Sequence, residues 1–378
     1  MSTIALERAG SKGAVPSKRL VRQPLRVALV VPPWYELPPS GYGGIEQMCT
    51  ALADALVALG HEVTLFGAGL RTGTAAKFVS TFTEPQYRRL GQALPELIHV
   101  AKTNRLLDPD DFDVVHDHTN AGLLTAAGRP VPTVTTVHGC PSGELGDYLS
   151  SVNRAVALVA ISHAQRRLRP ELGWTATVHH GLAPTETAKR KPSPGPALWL
   201  ARFCADKGAD LAIRACRSAN IPLVLAGKCT EPAERRYLDK VIVPMLNPRV
   251  QLIVNPDRRR CRQLMMAARS LLLPIRWEEP FGMVMIEAMA MGTPVVALNR
   301  GAVSEIVRHG ETGLVCQDPA ELPEALSRVL RLDPAACAEH VRTSFSAERM
   351  AHGYERVYRQ LATLGRTSAG EGASLTAR

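Results

Sequence analysis

The sequence predicts an α/β protein built from two doubly wound halves. Three observations predict it. The chain has 378 residues, enough for two domains at about 150 residues each. Short apolar runs alternate with amphipathic helical stretches along most of its length, the pattern of parallel strands joined by crossover helices. The alternation stops at 183–196 (APTETAKRKPSPGP), a stretch of prolines and charges with no apolar face, and then restarts.

In the first half, 26–31 (RVALVV) is a short apolar run bounded by prolines, as expected of a strand buried on both faces. A Gly/Pro-rich loop follows at 32–44. Residues 45–59 then carry apolar side chains at helical spacing until Gly60 stops them. Further strands are expected at 62–66, 114–116, 133–137 and 158–161. In the second half they fall at 197–200, 223–226, 250–253, 271–273, 295–297 and 313–316, with helices near 209–219, 231–246, 259–269, 283–291 and 319–331. The boundaries that follow are a disordered basic tail at 1–25, a first domain at 26–182, the linker at 183–196, a second domain at 197–346 and a C-terminal tail at 366–378. Open sheets of this kind bind ligands beyond the carboxyl ends of their strands, so two such sheets facing each other create a cleft.

Composition narrows the function. Apolar residues make up 46% and charged residues 21%, which suits a globular chain and excludes a disordered or collagen-like one. No uninterrupted apolar run reaches the roughly 18 residues of a spanning helix. The formal net charge is +10, and residues 1–26 hold half of it: Arg8, Lys12, Lys18, Arg19, Arg22 and Arg26 against Glu7 alone. Such a tail can touch an anionic membrane, although a solvated leader is the plainer expectation. Aromatic residues are only 5% and form no stacking motif, which argues against a nucleic-acid partner. The eight cysteines form no C-x-x-C pair, so they lack zinc spacing and suit a reducing compartment. No secretory signal is evident, and the expected location is cytoplasmic.

Three segments should line the cleft. Gly41-Tyr42-Gly43-Gly44-Ile45-Glu46 lies between the first strand and its helix. Its glycines let backbone N–H groups approach an anion at a helix N-terminus, although a mere turn would look the same. Arg202 and Lys207 follow the first strand of the second half, where two cations can converge on a diphosphate; the alternative is a surface loop with Lys207 paired to a carboxylate. The third segment is the sharpest: Glu279-Pro280-Phe281-Gly282-Met283-Val284-Met285-Ile286-Glu287. Gly282 opens a helix, so the N–H groups of Gly282, Met283 and Val284 can hold phosphate oxygens. Glu287 is a carboxylate among Met, Ile and Ala, costly unless satisfied. A sugar diol offers two hydroxyl donors to its two oxygens; an internal pair with an arginine would also satisfy it. Asp108-Pro109-Asp110 and Asp111-Phe112-Asp113 match D-x-D but read as a loop and strand cap. In His116-Asp117-His118 the two histidines share one face of a strand and Asp117 the other, which weakens a metal site.

With GYGGIE, LARFCADKG, Glu279-x7-Glu287 in EEPFGMVMIEAMAMGTPVVA, HGETGLV and the Tyr-containing 347–361 in this order, the chain resembles the GT4 family of retaining glycosyltransferases over about residues 26–365. The resemblance implies a GT-B fold, two Rossmann-like domains facing across an interdomain cleft, with a C-terminal helix at 347–364 crossing back onto the first domain. It implies that the second domain binds a nucleotide sugar. Arg202 and Lys207 would bind the diphosphate, with Gly43 and Gly44 packed beside it. Gly282, Met283 and Val284 would offer backbone donors, and Phe281 would join the donor contacts. Glu279 would hold the hydroxyls of the transferred sugar and Glu287 the ribose. His138, after a strand of the first half, resembles the family's active-site histidine, and His118 would reach the acceptor. His180-Gly181 stands where the family more often has Asn-Gly.

The implied reaction is metal-independent transfer, with retention, from a nucleoside diphosphate sugar to a hydroxyl acceptor. UDP is the default nucleotide, with GDP and dTDP as alternatives, and no further cofactor is needed. A small metabolite or natural product is the expected acceptor. The basic tail and Arg166, Arg167 and Arg169 motivate a second possibility, a lipid-linked acceptor at the membrane surface. A non-catalytic sugar-nucleotide-binding protein is a third, disfavoured by the intact Glu279, Glu287, Arg202 and Lys207.

Overall fold

The structure, a computed structural model, describes residues 23–41, 43–152, 156–184 and 194–375, with side chains through 363. The first half forms a seven-stranded parallel sheet from β1 (Arg26–Val30), β2 (Glu62–Ala68), β3 (Lys77–Phe82), β4 (Val114–Asp117), β5 (Thr133–Thr136), β6 (Ala157–Ala160) and β7 (Ala176–Thr177). The second forms a six-stranded parallel sheet from β8 (Ala197–Leu200), β9 (Leu223–Gly227), β10 (Val250–Val254), β11 (Ser270–Leu273), β12 (Val295–Leu298) and β13 (Gly313–Cys316). The helices of the first half are α1 (Gly44–Ala58), α2 (Ala93–Leu106), α3 (Leu123–Ala126), α4 (Gly143–Val152) and α5 (His163–Leu168). Those that follow are α6 (Ala209–Ser218), α7 (Pro232–Tyr237), α8 (Arg258–Ala267), α9 (Met283–Ala290), α10 (Val303–Ile306), α11 (Leu322–Arg328), α12 (Pro334–Ser344) and α13 (Ala347–Leu375).

The strand orders are β3-β2-β1-β4-β5-β6-β7 and β10-β9-β8-β11-β12-β13. In each sheet the first strand is central and the order reverses beside it. Those switch points lie between β1 and β4 and between β8 and β11, where the loops on the two sides diverge and leave a crevice at the strands' carboxyl ends. The Gly43 loop leaves β1 and His118 follows β4. Arg202 and Lys207 follow β8, and Glu279 follows β11. Chain topology alone therefore brings the three segments and the histidines to the two crevices.

The two halves share apolar packing. Ile161 and Ala164 of the first half join Phe281, Met285 and Ile286 in one buried cluster. Met283 packs against that cluster and against the core of the first half. The chain returns at the end: Leu182 N–H donates to the Phe345 carbonyl and Ala347 N–H to that of Leu182, each at 2.8 Å. From there α13 lays Met350, Ala351, Tyr354, Val357 and Tyr358 onto α1 and the first sheet. Two fully buried tyrosines make this a large apolar contact with polar tips that need partners.

Several expectations change. Residues 1–22 of the basic tail lie outside the described residues, but Leu25 is 6% exposed, packs in the first core and bonds through its N–H to His61 Nδ1 at 3.1 Å. The tail therefore stops short of residue 25. Helix α13 runs to Leu375 rather than ending near 364, since no proline interrupts it. Most of the expected linker, 185–193, lies outside the described residues. The 231–246 helix is α7 followed by a π turn and a 3-10 turn, where Pro244 lacks the N–H needed to continue. The stretch 67–112, unassigned from sequence, holds β3 and α2. The latter faces solvent with Leu94, Leu97 and Ile98 while burying His99, Val100 and Thr103, so its apolar residues mark the wrong face.

Candidate active site

The loop from β11 to α9 holds Glu279 against Lys207. Lys207 Nζ lies 2.5 Å from Glu279 Oε2, which also accepts from the Trp277 indole N–H at 3.0 Å. The ammonium sits 4.3 Å over the Trp277 ring, so an apolar face shields the pair and strengthens it. Two glycines make this geometry possible. Gly208 adopts φ +69°, and a Cβ there would strike the Pro274 carbonyl. Gly301 adopts φ +56°, and a Cβ there would strike the backbone of Glu279. Gly282, at φ +81°, is the N-cap of α9, and no side chain among the described residues caps it, so the helix start presents its N–H groups to the crevice.

Arg202 and Lys207 each lie beside a carboxylate. Arg202 Nη1 lies 3.9 Å from Glu234 Oε1, in a network where Lys228 Nζ reaches Glu231 at 2.6 Å and Glu234 at 3.3 Å. Lys207 keeps to Glu279. The two cations leave the same loop toward different carboxylates because each has a buried acid within reach. Sequence reasoning did not single out Lys228 and Glu234. Ala226-Gly227-Lys228, at the carboxyl end of β9, was the available signal.

Glu287 faces Arg258 and a hydrogen bond from Gln47 of the first half, which pull its pKa down against the larger upward push of burial. Arg258 thus acts on Glu287 through its charge, and among the described residues no ion pair joins the two. Arg258 N–H also donates to the Ser40 carbonyl at 3.3 Å, so the start of α8 touches the glycine loop across the cleft.

Gly43 is the N-cap of α1 at φ +149°, and a Cβ there would lie 2.8 Å from Pro39 Cβ; Tyr42 lies outside the described residues. Beneath this turn is Glu46, 3% exposed. Burial pushes its carboxyl up to about 7, against its own and the Tyr35 backbone N–H bonds. The sequence marks Glu46 only as a letter of GYGGIE.

A histidine cluster occupies the first half's side of the cleft. His118 Nδ1 lies 3.0 Å from His138 Nε2. Behind them His116 bonds Tyr358 Oη at 2.6 Å and Thr136 Oγ1 at 2.8 Å, and Thr136 bonds Tyr354 Oη at 2.8 Å. His180 stands between the halves, its ring 5.3 Å from that of His138 and 5.0 Å from Phe281. Burial holds all four imidazoles below their usual range, with His138 pushed down to about 3, so they are neutral hydrogen-bonding groups at pH 7. His118 Nε2 and His180 Nδ1 are buried without a hydrogen-bond partner among the described residues. A ligand hydroxyl or a water would satisfy them.

The D-x-D carboxylates cap and pair. Asp108 accepts from Asp110 N–H at 3.0 Å, and Asp113 holds the Arg26 backbone N–H at 2.8 Å. Asp117 turns away from the histidines onto Arg129 at 2.9 Å. Among the described residues one trio has metal-ligand composition, His163, His179 and Glu305, and it spans the two halves.

Comparison with known proteins agrees with this architecture. The family model "Glycosyltransferase Family 4" matches residues 42–191, and "Glycosyl transferases group 1" matches 188–342. The chain is 27% identical over 369 residues to a glycogen synthase of Mycobacterium tuberculosis, covering 82% of this chain and 87% of that protein. It is 25% identical to a phosphatidyl-myo-inositol mannosyltransferase of Mycobacterium leprae, covering 90% and 98%. Among solved structures, AviGT4, a glycosyltransferase involved in avilamycin A biosynthesis, superposes with TM-score 0.71 at 26% identity, covering 90% of this chain and 98% of that one. Two successive family models, a pair of GT-B sheets and an E-x7-E segment at the second switch point mean that this chain belongs to the GT4 glycosyltransferases.

Proposed function

We propose that the protein moves a sugar, with retention and without a metal, from a nucleoside diphosphate sugar to a hydroxyl acceptor, UDP-sugar being the default donor and GDP or dTDP the alternatives. The observation that carries this reading is the Lys207–Glu279 pair at the second switch point, connected through Phe281 and His180 to His138. On binding, the diphosphate takes Lys207 from Glu279. The freed carboxylate then accepts the hydroxyls of the transferred sugar. The acceptor oxygen bonds to the anomeric carbon on the face from which the phosphate oxygen departs, and that oxygen takes the acceptor's proton. Lys207, Arg202 and the amides of Gly282, Met283 and Val284 stabilise the departing charge. Gly43 and Gly44 pack beside it, and Glu287 holds the ribose. His138, neutral, orients hydroxyls, with His118 on the acceptor side. Closure of the halves excludes water.

A thermal-shift screen of UDP, GDP, dTDP and ADP with their sugars identifies the donor. Proton NMR of the product then reads the anomeric configuration. Inversion removes the mechanism; binding without hydrolysis or transfer would instead make this a sugar-nucleotide-binding protein. All eight cysteines are free thiols, which fits a cytoplasmic location.

One observation favours a membrane-surface acceptor over a small one. Helix α2 exposes Leu94 at 60%, Leu97 at 42% and Ile98 at 37% on one stripe, preceded by Tyr87 and Arg88 and followed by Arg105. Apolar exposure flanked by arginines suits an anionic bilayer. Among the described residues no helix is long and apolar enough to cross one. Co-sedimentation with anionic vesicles tests this; absence of salt-sensitive binding removes it.

A further inference from the structure

We infer that Glu305 is a positioning residue for transfer, clasping the donor loop of the second half to the helix that frames His138. The inference rests on the proposed reaction for its kinetic meaning and on hydrogen bonds for its geometry.

Glu305 lies on α10 in the second half, yet its described hydrogen-bond donors all belong to the first. Oε1 accepts from His163 N–H at 2.8 Å and lies 2.6 Å from His179 Nε2, while Oε2 accepts from Ala164 N–H at 3.0 Å. Burial pushes its carboxyl up, but these bonds prevail and hold it at about 2. At neutral pH the clasp is therefore a carboxylate receiving charge-assisted bonds.

Each end of the clasp continues to a candidate reacting group. On the second half, Ala302 N–H donates to the Glu279 carbonyl at 2.9 Å and Gly301 N–H to the Glu278 carboxylate at 2.6 Å. The segment bearing Glu305 and the loop bearing Glu279 thus form one hydrogen-bonded unit. On the first half, the amides that Glu305 grips open α5, whose Gln165 Nε2 donates to the carbonyls of Val137 at 2.8 Å and Gly139 at 2.7 Å. Those carbonyls bracket His138. A continuous path therefore runs from Glu279 through Glu305 and Gln165 to His138, and it sets the spacing of groups that the reaction needs on opposite sides of the sugar.

The test compares Glu305→Ala, Glu305→Gln, Gln165→Ala and the Glu305→Ala/Gln165→Ala double variant. Glu305→Ala should speed hydrogen exchange at the amides of 163 and 164, leave nucleotide affinity within about twofold, and lower kcat roughly 10- to 100-fold with donor KM little changed. Glu305→Gln, which keeps one acceptor oxygen, should recover part of kcat. The double variant should lose no more than the worse single one, because both act on one path. A kcat within about twofold of wild type, losses that multiply, or an equal fall in nucleotide affinity would overturn the assignment. Unchanged exchange at 163 and 164 in Glu305→Ala overturns it without any turnover assay. Absence of turnover in the wild-type chain with every donor refutes the proposed reaction instead, and with it the kinetic role of Glu305.

Discussion

Replacing Glu46 by glutamine should change how the protein's stability depends on pH. Glu46 is buried under the Gly43 turn, and a Cβ on Gly43 would lie 3.3 Å from its Oε2. In the folded chain its carboxyl ionises at about 7, against an ordinary value of 4.5. That difference corresponds to about 3 kcal/mol. Below pH 4.5 both folded and unfolded chains carry the proton, and Glu46 costs nothing. As pH rises the unfolded chain releases its proton first, so the stability present at low pH is lost progressively and the full penalty stands above pH 7. Glutamine cannot ionise and removes this dependence, at a pH-independent cost of about 1–3 kcal/mol for an amide N–H left without a partner. Urea denaturation of both proteins at pH 5 and pH 8 measures it. The stability difference, variant minus wild type, should rise by about 2–3 kcal/mol between those pH values. A difference constant to within about 1 kcal/mol would refute the reasoning, because Glu46 would then reach water or a cation in the folded chain.

Four further substitutions probe the site. Glu279→Ala should abolish transfer while nucleotide binding survives, and Arg202→Ala should weaken both; full activity in either variant, by a product assay alongside nucleotide titration, removes that assignment. Gly301→Ala should lower transfer at least about tenfold with roughly 1–3 kcal/mol of stability lost, since its methyl group meets the Glu279 backbone at a positive φ; thermal unfolding and initial rates read the two effects. Tyr358→Phe removes the hydrogen bond to His116, and the buried imidazole it leaves should cost about 1–3 kcal/mol in urea denaturation.

Eleven of the thirteen strands were legible because strands in the middle of a parallel sheet read as bare apolar runs, whereas the largely exposed β3 and the two-residue β7 were not. Gly41–Glu46 and Glu279–Glu287 could be found because glycines at a helix start, and a carboxylate in an apolar helix, violate local rules without an internal reason. Helix α2 was not legible: Leu94, Leu97 and Ile98 carry its apolar signal on the exposed face, and its buried face holds His99 and Thr103. Glu305 looks like any acid in a short helix, and only the crossing to His163, Ala164 and His179, distant in sequence, gives it a role. The pairing of Arg202 with Glu234 had the same cause. Glu234 comes from another strand-to-helix connection, and spacing along one loop carries no trace of it.

Calorimetric titration of the nucleoside diphosphates and their sugars into wild type and Lys207→Met goes to the centre of the account. One nucleotide should bind the wild-type chain, and the variant should bind it at least about tenfold more weakly, a loss of about 1.4 kcal/mol or more. Equal affinity in the two proteins, or no binding of any of the four nucleotides to the wild type, would contradict a diphosphate held at the Lys207–Glu279 crevice.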